Sequence, residues 1–104
     1  MADVHFSAHA EAIFASRGTD ADEITEVINQ SSWVSAGRGR LDCRKDFDFD
    51  GDWNGKHFDW KQVRPVFIED AGGVTVLTVY TYFGNDAAPP GIASAGGVGE
   101  RAVR

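Results

Sequence analysis

Apolar residues recur at helical spacing in two stretches near the start of the chain. The two series are Ala10, Ile13 and Phe14, and then Ala21, Ile24, Val27 and Ile28. Each series would occupy one side of an amphipathic helix. The spacing predicts a helical hairpin over 8–17 and 20–30, preceded by a short strand or extended arm at 4–6.

Residues that begin and end helices stand at the edges of both predicted helices. Ser7 has the side chain of an N-cap, and Asp20 forms a capping box with Glu23 three residues later. Arg17 supplies a cation for the last turn of the first helix, and Gly18 accepts the left-handed conformation that ends it. These signals define the helix boundaries to within about 2–4 residues.

From Arg40 the period of the pattern changes to two, which is typical of a half-buried strand. One side of this strand is apolar, but Lys45 falls on it too. A charge on that side must reach solvent, pair with an acid or face a cleft. Residues 50–55 are rich in turn-forming side chains and predict a hairpin loop.

Two more strands come after the predicted loop. The first runs over about 58–69 and contains Pro65, which we expect at a sheet edge or at a bulge because proline donates no hydrogen bond to a neighbouring strand. After a turn at 70–73, a strand over 74–83 is rich in β-branched and aromatic residues. Its apolar character on both sides predicts a central position in the sheet.

These elements predict the α+β class. A single domain at 1–84 would pack the N-terminal helical hairpin on a three- to four-stranded antiparallel sheet. Residues 85–104 are mostly Gly, Ala and Pro and contain almost no large apolar side chain. Such a segment buries too little surface to offset the entropy of ordering it, so we expect a flexible, disordered tail.

Charge and cysteine content narrow the range of functions. The formal net charge of −6 counts against indiscriminate binding to nucleic-acid backbones or anionic lipid, although cations gather between residues 38 and 64. The single cysteine, Cys43, excludes a disulfide framework and makes the cytoplasm the default compartment. The sequence contains neither a secretory signal pattern nor an apolar run near the roughly 20 residues of a membrane helix.

Several short blocks between His5 and Phe83 carry a family resemblance. They are Ser7-Ala8-His9-Ala10, Arg17-Gly18, Lys45-Asp46-Phe47, Trp53, Lys56, Lys61-Gln62-Val63-Arg64-Pro65-Val66-Phe67 and Thr78-Val79-Tyr80. Together they resemble domain-of-unknown-function family 4258, a bacterial family whose members are proposed to share the RelE/barnase-like RNase-toxin fold. The resemblance implies a metal-independent endoribonuclease that acts on single-stranded RNA, in a toxin–antitoxin setting.

One position departs from that family. Members often carry an arginine four residues after the histidine of the first helix, and Ile13 occupies this position here. The change either removes a phosphate contact or repacks the helix surface against the core.

Cleavage of RNA without a metal requires groups that transfer protons and cations that stabilise the phosphate charge. His9 is the candidate for proton transfer, and its alternative role is a first-turn histidine that satisfies a backbone group. The candidates to bind phosphate are three cations, Lys45, Lys61 and Arg64. Their alternative is a surface salt bridge with a neighbouring acid, Asp46 or Asp59.

Aromatic residues are the other candidates for ligand contacts. We expect Tyr80 and Tyr82 to face away from the helices and to stack on bases or donate hydrogen bonds, or else to cover the sheet or form a dimer contact. Trp33 is expected at the edge of the core, and Trp53 marks a contact with a partner or ligand at the hairpin tip. The opposite side of the last strand, expected under the helices, comprises Thr75, Leu77, Val79, Thr81 and Phe83.

One segment resembles the start of a calcium loop. It has carboxylates at positions one, three and five and glycine at six, namely Asp46, Asp48, Asp50 and Gly51. The twelfth position is His57 instead of glutamate, and a strand would spread the acids along one side, so we expect no ion there. His5 and His57 have no evident companions, and no zinc spacing or phosphate-binding glycine loop occurs. We therefore expect neither a metal nor a cofactor.

Two functions from different classes are compatible with these residues. The first is the endoribonuclease, with His9, Lys45, Lys61, Arg64 and Tyr80 as its catalytic residues. The second is a non-catalytic acidic interaction module that binds a protein partner or a second copy of the chain, which the net acidity and Ile13 favour. The first requires His9, Lys61 and Tyr80 to lie near one concave, locally positive site.

Overall fold

The computed structural model describes residues 2–85, which form two helices and one sheet of six strands. In chain order the elements are β1 (Val4–Phe6), α1 (Ala8–Arg17), α2 (Ala21–Gln30), β2 (Val34–Gly37), β3 (Arg40–Asp42), β4 (Lys45–Trp53), β5 (Lys56–Asp70) and β6 (Gly73–Gly84). The α+β class is confirmed. The tail predicted at 85–104 lies outside the described residues except for Asn85.

Both helices begin and end where the sequence indicates. The Ser7 hydroxyl accepts a hydrogen bond from the Ala10 N–H, and the Asp20 carboxylate accepts one from the Glu23 N–H. Gly18 ends α1 with a φ of 71°, the left-handed conformation that glycine adopts without a steric penalty. Within residues 2–85, no helix is long and apolar enough to span a membrane.

β5 is the central strand of a mixed sheet. The strand order is β1-β6-β5-β3-β2, and β4 also pairs with β5. β1 runs parallel to β6, whereas the other pairs are antiparallel. The prediction of an antiparallel sheet of three to four strands is therefore wrong in strand number and in the direction of β1. β2 escapes prediction because each of its residues is exposed, which leaves no alternation of buried and exposed positions.

Pro65 lies in the middle of the central strand. Pairing of β5 with β4 ends at Val63, and pairing with β3 begins at Val66, so the proline stands beside the break between its two neighbours. A register shift against β6 comes directly afterwards, between Val66 and Phe67. The expected bulge is therefore present next to Pro65, but the alternative expectation of an edge strand is wrong.

This bulge also changes which side of β6 faces the helices. Leu77 is the extra residue, and Val74 and Val76 before it are buried in the core. The expectation that Thr75 and Leu77 pack under the helices is therefore wrong. The same expectation is confirmed for the residues after the bulge. Val79 is part of the core under the helices, and Thr81 and Phe83 lie against the end of α1.

Cys43 lies in this core, with its Sγ 3.6 Å from the carbonyl oxygen of Val27 on α2. Burial raises the pKa of the Cys43 thiol to about 12, and the charge of Asp42 adds to the effect. An unfolded thiol has a pKa of about 8.5, so the folded state holds its proton more tightly. The resulting stabilisation is complete below pH 8.5 and is lost as the pH rises toward 12.

We expect the Cys43 thiol of the folded protein to react with iodoacetamide at pH 8 only as fast as the protein unfolds. The reason is that both burial and the raised pKa suppress the reactive thiolate. Mass spectrometry of samples quenched over time, with and without urea, measures the rate. Labelling of the native protein at the rate of a free thiol would contradict the burial of this side chain.

Candidate functional site

Lys45 and Lys61 lie on the side of the sheet that faces the helices. The Lys45 Nζ lies 2.7 Å from Glu26 Oε2, and the Lys61 Nζ lies 2.7 Å from Glu23 Oε2. Lys61 also donates to the Gly18 carbonyl, and its side chain is only 8% exposed. Of the three alternatives for Lys45, the structure shows pairing with an acid, but the predicted acids, Asp46 and Asp59, are the wrong partners.

Arg64 and Tyr80 lie together on the other side of the sheet. They are partners in the pairing of β5 with β6, and the Arg64 guanidinium lies 5.6 Å from the centre of the Tyr80 ring. The Arg64 Nη2 donates to Asp42 Oδ2 over 2.9 Å. This hydrogen bond raises the pKa of Arg64 above its ordinary value, against the opposing effect of burial. The sheet therefore separates these two candidates from Lys45 and Lys61, so the expectation that Lys61 and Tyr80 share one site is wrong.

His9 lies on the exposed surface of α1. Among residues 2–85, no side-chain hydrogen bond or ion pair joins its imidazole to Lys61, Arg64 or Tyr80. Ile13, one turn further along the helix, packs against the core. The position of the family's arginine thus serves packing in this chain.

A second arginine reaches Tyr80 from the end of α1. The Arg17 guanidinium lies 6.0 Å from the centre of the Tyr80 ring, and the Thr81 hydroxyl donates to the Arg17 carbonyl. Tyr80 itself is 40% exposed. We call Arg17, Arg64 and Tyr80 the Arg–Tyr strip. The sequence indicated Arg17 only as a helix-terminating cation, because its contact with β6 depends on tertiary packing.

A cleft of about 640 Å³ adjoins the strip, between the end of α1, the tip of the β4–β5 hairpin and the end of β6. Trp53 stacks on Phe83 in its wall, with ring centres 5.3 Å apart and planes inclined by 15°. Arg17 lines this aromatic cleft and also reaches Tyr80, so the two surfaces are continuous. The lining comprises Ser16, Arg17, Trp53, Asn54, Lys56, Phe58, Thr81, Tyr82, Phe83, Gly84 and Asn85.

The helix-free side of the sheet also carries buried polar side chains. Every second residue of β5 faces this side, namely Trp60, Gln62 and Arg64. The Gln62 amide donates a hydrogen bond to Asp46. Four buried side-chain atoms here have no hydrogen-bond partner among residues 2–85, namely Asp42 Oδ1, Trp60 Nε1, Gln62 Oε1 and Arg64 Nε. Such atoms are rare in folded proteins, and here they concentrate on one side of the sheet.

The acidic segment before the hairpin tip does not form a calcium loop. Asp46 is bonded to Gln62, and Asp48 pairs with Trp60 within the sheet. The expectation that His57 lacks companions is wrong, because its Nε2 lies 3.2 Å from a carboxylate oxygen of Asp50. Two further acids, Asp52 and Asp59, surround the same imidazole.

Comparison of the chain with protein-family models, with curated proteins and with solved structures finds no match. The resemblance to family 4258 therefore stays a prediction from the sequence blocks that carry it. Any functional inference rests on the geometry of the Arg–Tyr strip and the aromatic cleft.

Proposed function

We propose that the domain binds single-stranded RNA along the Arg–Tyr strip and acts in the cytoplasm as a metal-independent endoribonuclease of the toxin type. The observation that carries the proposal is that two guanidiniums lie within 6.0 Å of one exposed phenol ring. Guanidinium groups bind phosphate oxygens through paired N–H donors, and aromatic rings stack on bases that are not paired.

The aromatic cleft supports the same ligand class. Its lining includes two cations, Arg17 and Lys56, and several aromatic side chains. Cations beside aromatic rings suit a strand whose bases are splayed out, since each base has a face to stack and each nucleotide carries one negative charge. A volume of about 640 Å³ lies within the range of small-ligand sites.

The net charge of −6 opposes RNA binding only at long range. At physiological ionic strength, charges separated by more than about 8 Å in solvent are largely screened. Two acids of α2, Glu23 and Glu26, are moreover paired with lysines on the helix-facing side. The charge of the strip itself therefore has more effect on RNA binding than the net charge of the chain.

The roles within this site differ from those expected from the sequence. The ammonium groups of Lys45 and Lys61 are occupied by carboxylates of α2, and Arg64 is paired with Asp42. Arg17, which forms no ion pair among residues 2–85, therefore supplies the main charge that stabilises the phosphate. The Tyr80 phenol is the proton-transfer group of the strip. His9 contributes only if RNA reaches from the strip to the surface of α1.

We expect Tyr80→Ala to weaken binding of a 12-nucleotide oligouridine by about 5- to 150-fold, the equivalent of 1–3 kcal/mol for one lost stacking contact. Arg17→Ala is expected to weaken it as well and to reduce its dependence on salt. Fluorescence anisotropy at 50 and 150 mM salt measures the affinity, and incubation with labelled RNA in EDTA measures cleavage.

Arg40→Ala is the matched control for this experiment, because Arg40 is an exposed arginine on β3 that forms no hydrogen bond, ion pair or ring contact with the strip among residues 2–85. Its loss is expected to change affinity by less than twofold. If Arg17→Ala and Arg40→Ala weaken RNA binding equally, binding depends only on the overall charge, and the strip is rejected as the site. Cleavage by wild type but not by Tyr80→Phe would assign the hydroxyl to proton transfer.

The second candidate is a non-catalytic module that binds a protein partner. The observation that favours it is β2, an edge strand whose residues are all exposed, with Val34 at 53%. Such an edge offers unpaired backbone groups to an added strand. No RNA binding by the wild-type protein at either salt concentration would favour this function.

A further inference from the structure

Four side chains meet near the tip of the β4–β5 hairpin, and we call them the His57 cluster. Asp52 is the partner of His57 across the two strands, and Asp59 follows on the same side of β5. A bulge that begins after Asp48 gives Asp50 a φ of 44° and turns it toward the imidazole. The cluster therefore draws its members from both strands.

The distances within the cluster are those between ligands of one metal ion. The His57 Nε2 lies 3.2 Å from Asp50 Oδ1 and 3.3 Å from Asp59 Oδ1, and one ligand atom from each of the three residues lies within 4.8 Å of the others. Nitrogen and oxygen ligands lie about 2.0–2.2 Å from zinc, which separates two ligands of a tetrahedral site by about 3.3 Å. Little movement would bring all three onto an ion.

The other nitrogen of the ring lies near the third carboxylate of the cluster, at a distance longer than a hydrogen bond. The His57 Nδ1 lies 3.6 Å from Asp52 Oδ1. A histidine that binds metal commonly donates its second N–H to a carboxylate, which fixes the ring and makes the ligating nitrogen more basic. Asn85 also holds the strand, because its side chain accepts from the Asp59 N–H and donates to the His57 carbonyl.

Charge favours a cation at this place. Among residues 2–85, no lysine or arginine forms an ion pair with Asp50, Asp52 or Asp59. Three carboxylates thus surround a single imidazole. A divalent ion bound by two of them would reduce this concentration of negative charge.

We propose that Asp50, His57 and Asp59 bind a divalent transition-metal ion of the zinc type, with Asp52 orienting the imidazole. An imidazole among the ligands selects zinc, nickel, copper or cobalt over calcium and magnesium, which prefer oxygen ligands alone. Three protein ligands leave a coordination position for water or for a ligand that the ion binds. None of the three residues lines the aromatic cleft, although Asn85 does, so the site neighbours the proposed RNA site and uses different ligand residues.

Titration of the full chain with zinc chloride in a calorimeter tests the proposal, and substitution by cobalt reports the geometry through its visible absorption. We expect one zinc ion per chain with a dissociation constant tighter than about 100 µM. His57→Ala and Asp50→Asn are each expected to weaken binding at least tenfold. Circular dichroism verifies that both variants, which change exposed side chains, stay folded.

His9→Ala is the matched control, since it removes another exposed histidine, which lies on α1 and outside the His57 cluster. It is expected to bind zinc as tightly as the wild type. No saturable binding by the wild type would overturn the proposal and leave the cluster as contacts between His57 and its carboxylates. Unchanged binding in His57→Ala would overturn it too. Either result leaves the RNA experiments unaffected, because the cleavage assay contains EDTA and the RNA variants change other residues.

Discussion

Replacing Arg64 with methionine is expected to lower the free energy of unfolding by about 3 kcal/mol. Arg64 donates to Asp42 over 2.9 Å, and the Asp42 side chain is only 4% exposed. Methionine fills much of the same volume but leaves that carboxylate buried with no cation, which costs far more than the loss of an exposed pair. Urea denaturation followed by circular dichroism measures the difference.

Lys45→Met is the matched control for Arg64→Met. Lys45 is also paired with an acid, but the side chain of its partner Glu26 is 41% exposed and stays hydrated when the cation is lost. The expected loss is therefore below about 1 kcal/mol. Adding Asp42→Leu to Arg64→Met is expected to restore most of the stability, because no charge is then left buried. Equal losses in the two single variants would show that Asp42 does not depend on Arg64.

Gly73→Ala is expected to lower the free energy of unfolding by about 2–4 kcal/mol. The φ of Gly73 is 120°, which an L side chain rarely adopts. An added Cβ would also overlap the carbonyl oxygen of Asp3, which accepts a hydrogen bond from the Val74 N–H over 2.9 Å. Urea denaturation measures the loss, and faster amide exchange at Val74 would locate it at the junction of β1 and β6.

Gly72→Ala tests the same turn without this contact. An added Cβ at Gly72 would lie 3.5 Å from the Asp70 carboxylate, an ordinary van der Waals distance, and its φ is not left-handed. The expected change is within about 0.5 kcal/mol. If both alanine variants unfold at the same urea concentration, the close approach of Asp3 to Gly73 has no part in stability.

The elements that could be predicted from the sequence are those whose signals are local. Ser7 and Asp20 cap backbone groups three residues away, so the starts of the helices are determined by neighbouring residues alone. Trp33 fits its predicted place at the core edge, where it packs on Phe67 and donates to the Ile28 carbonyl. The bulge at Leu77 depends instead on how β5 meets β6, and no pattern within β6 announces it.

The candidate site was harder to predict for the same reason. The position of Lys45 on the apolar side of its strand left three alternatives, and pairing with an acid is the one that the structure shows. The sequence could not name Glu26, because that residue lies on α2 and approaches only when the helix packs on the sheet. Arg17 meets Tyr80, and Asp50 meets His57, through a helix end and a bulge whose placement the tertiary fold decides.

The parallel pairing of β1 with β6 has a consequence for how the chain assembles during synthesis. Val4 pairs with Val74 and Phe6 with Val76, so β1 can pair only once β6, which follows it in the chain, has been synthesised. The helical hairpin, whose contacts are close in sequence, forms early, whereas this edge of the sheet closes only after nearly the whole domain has been made. Until then Val4 and Phe6 lack the strand that pairs with β1 in the folded protein, so this apolar segment is open to contact with other chains while synthesis continues.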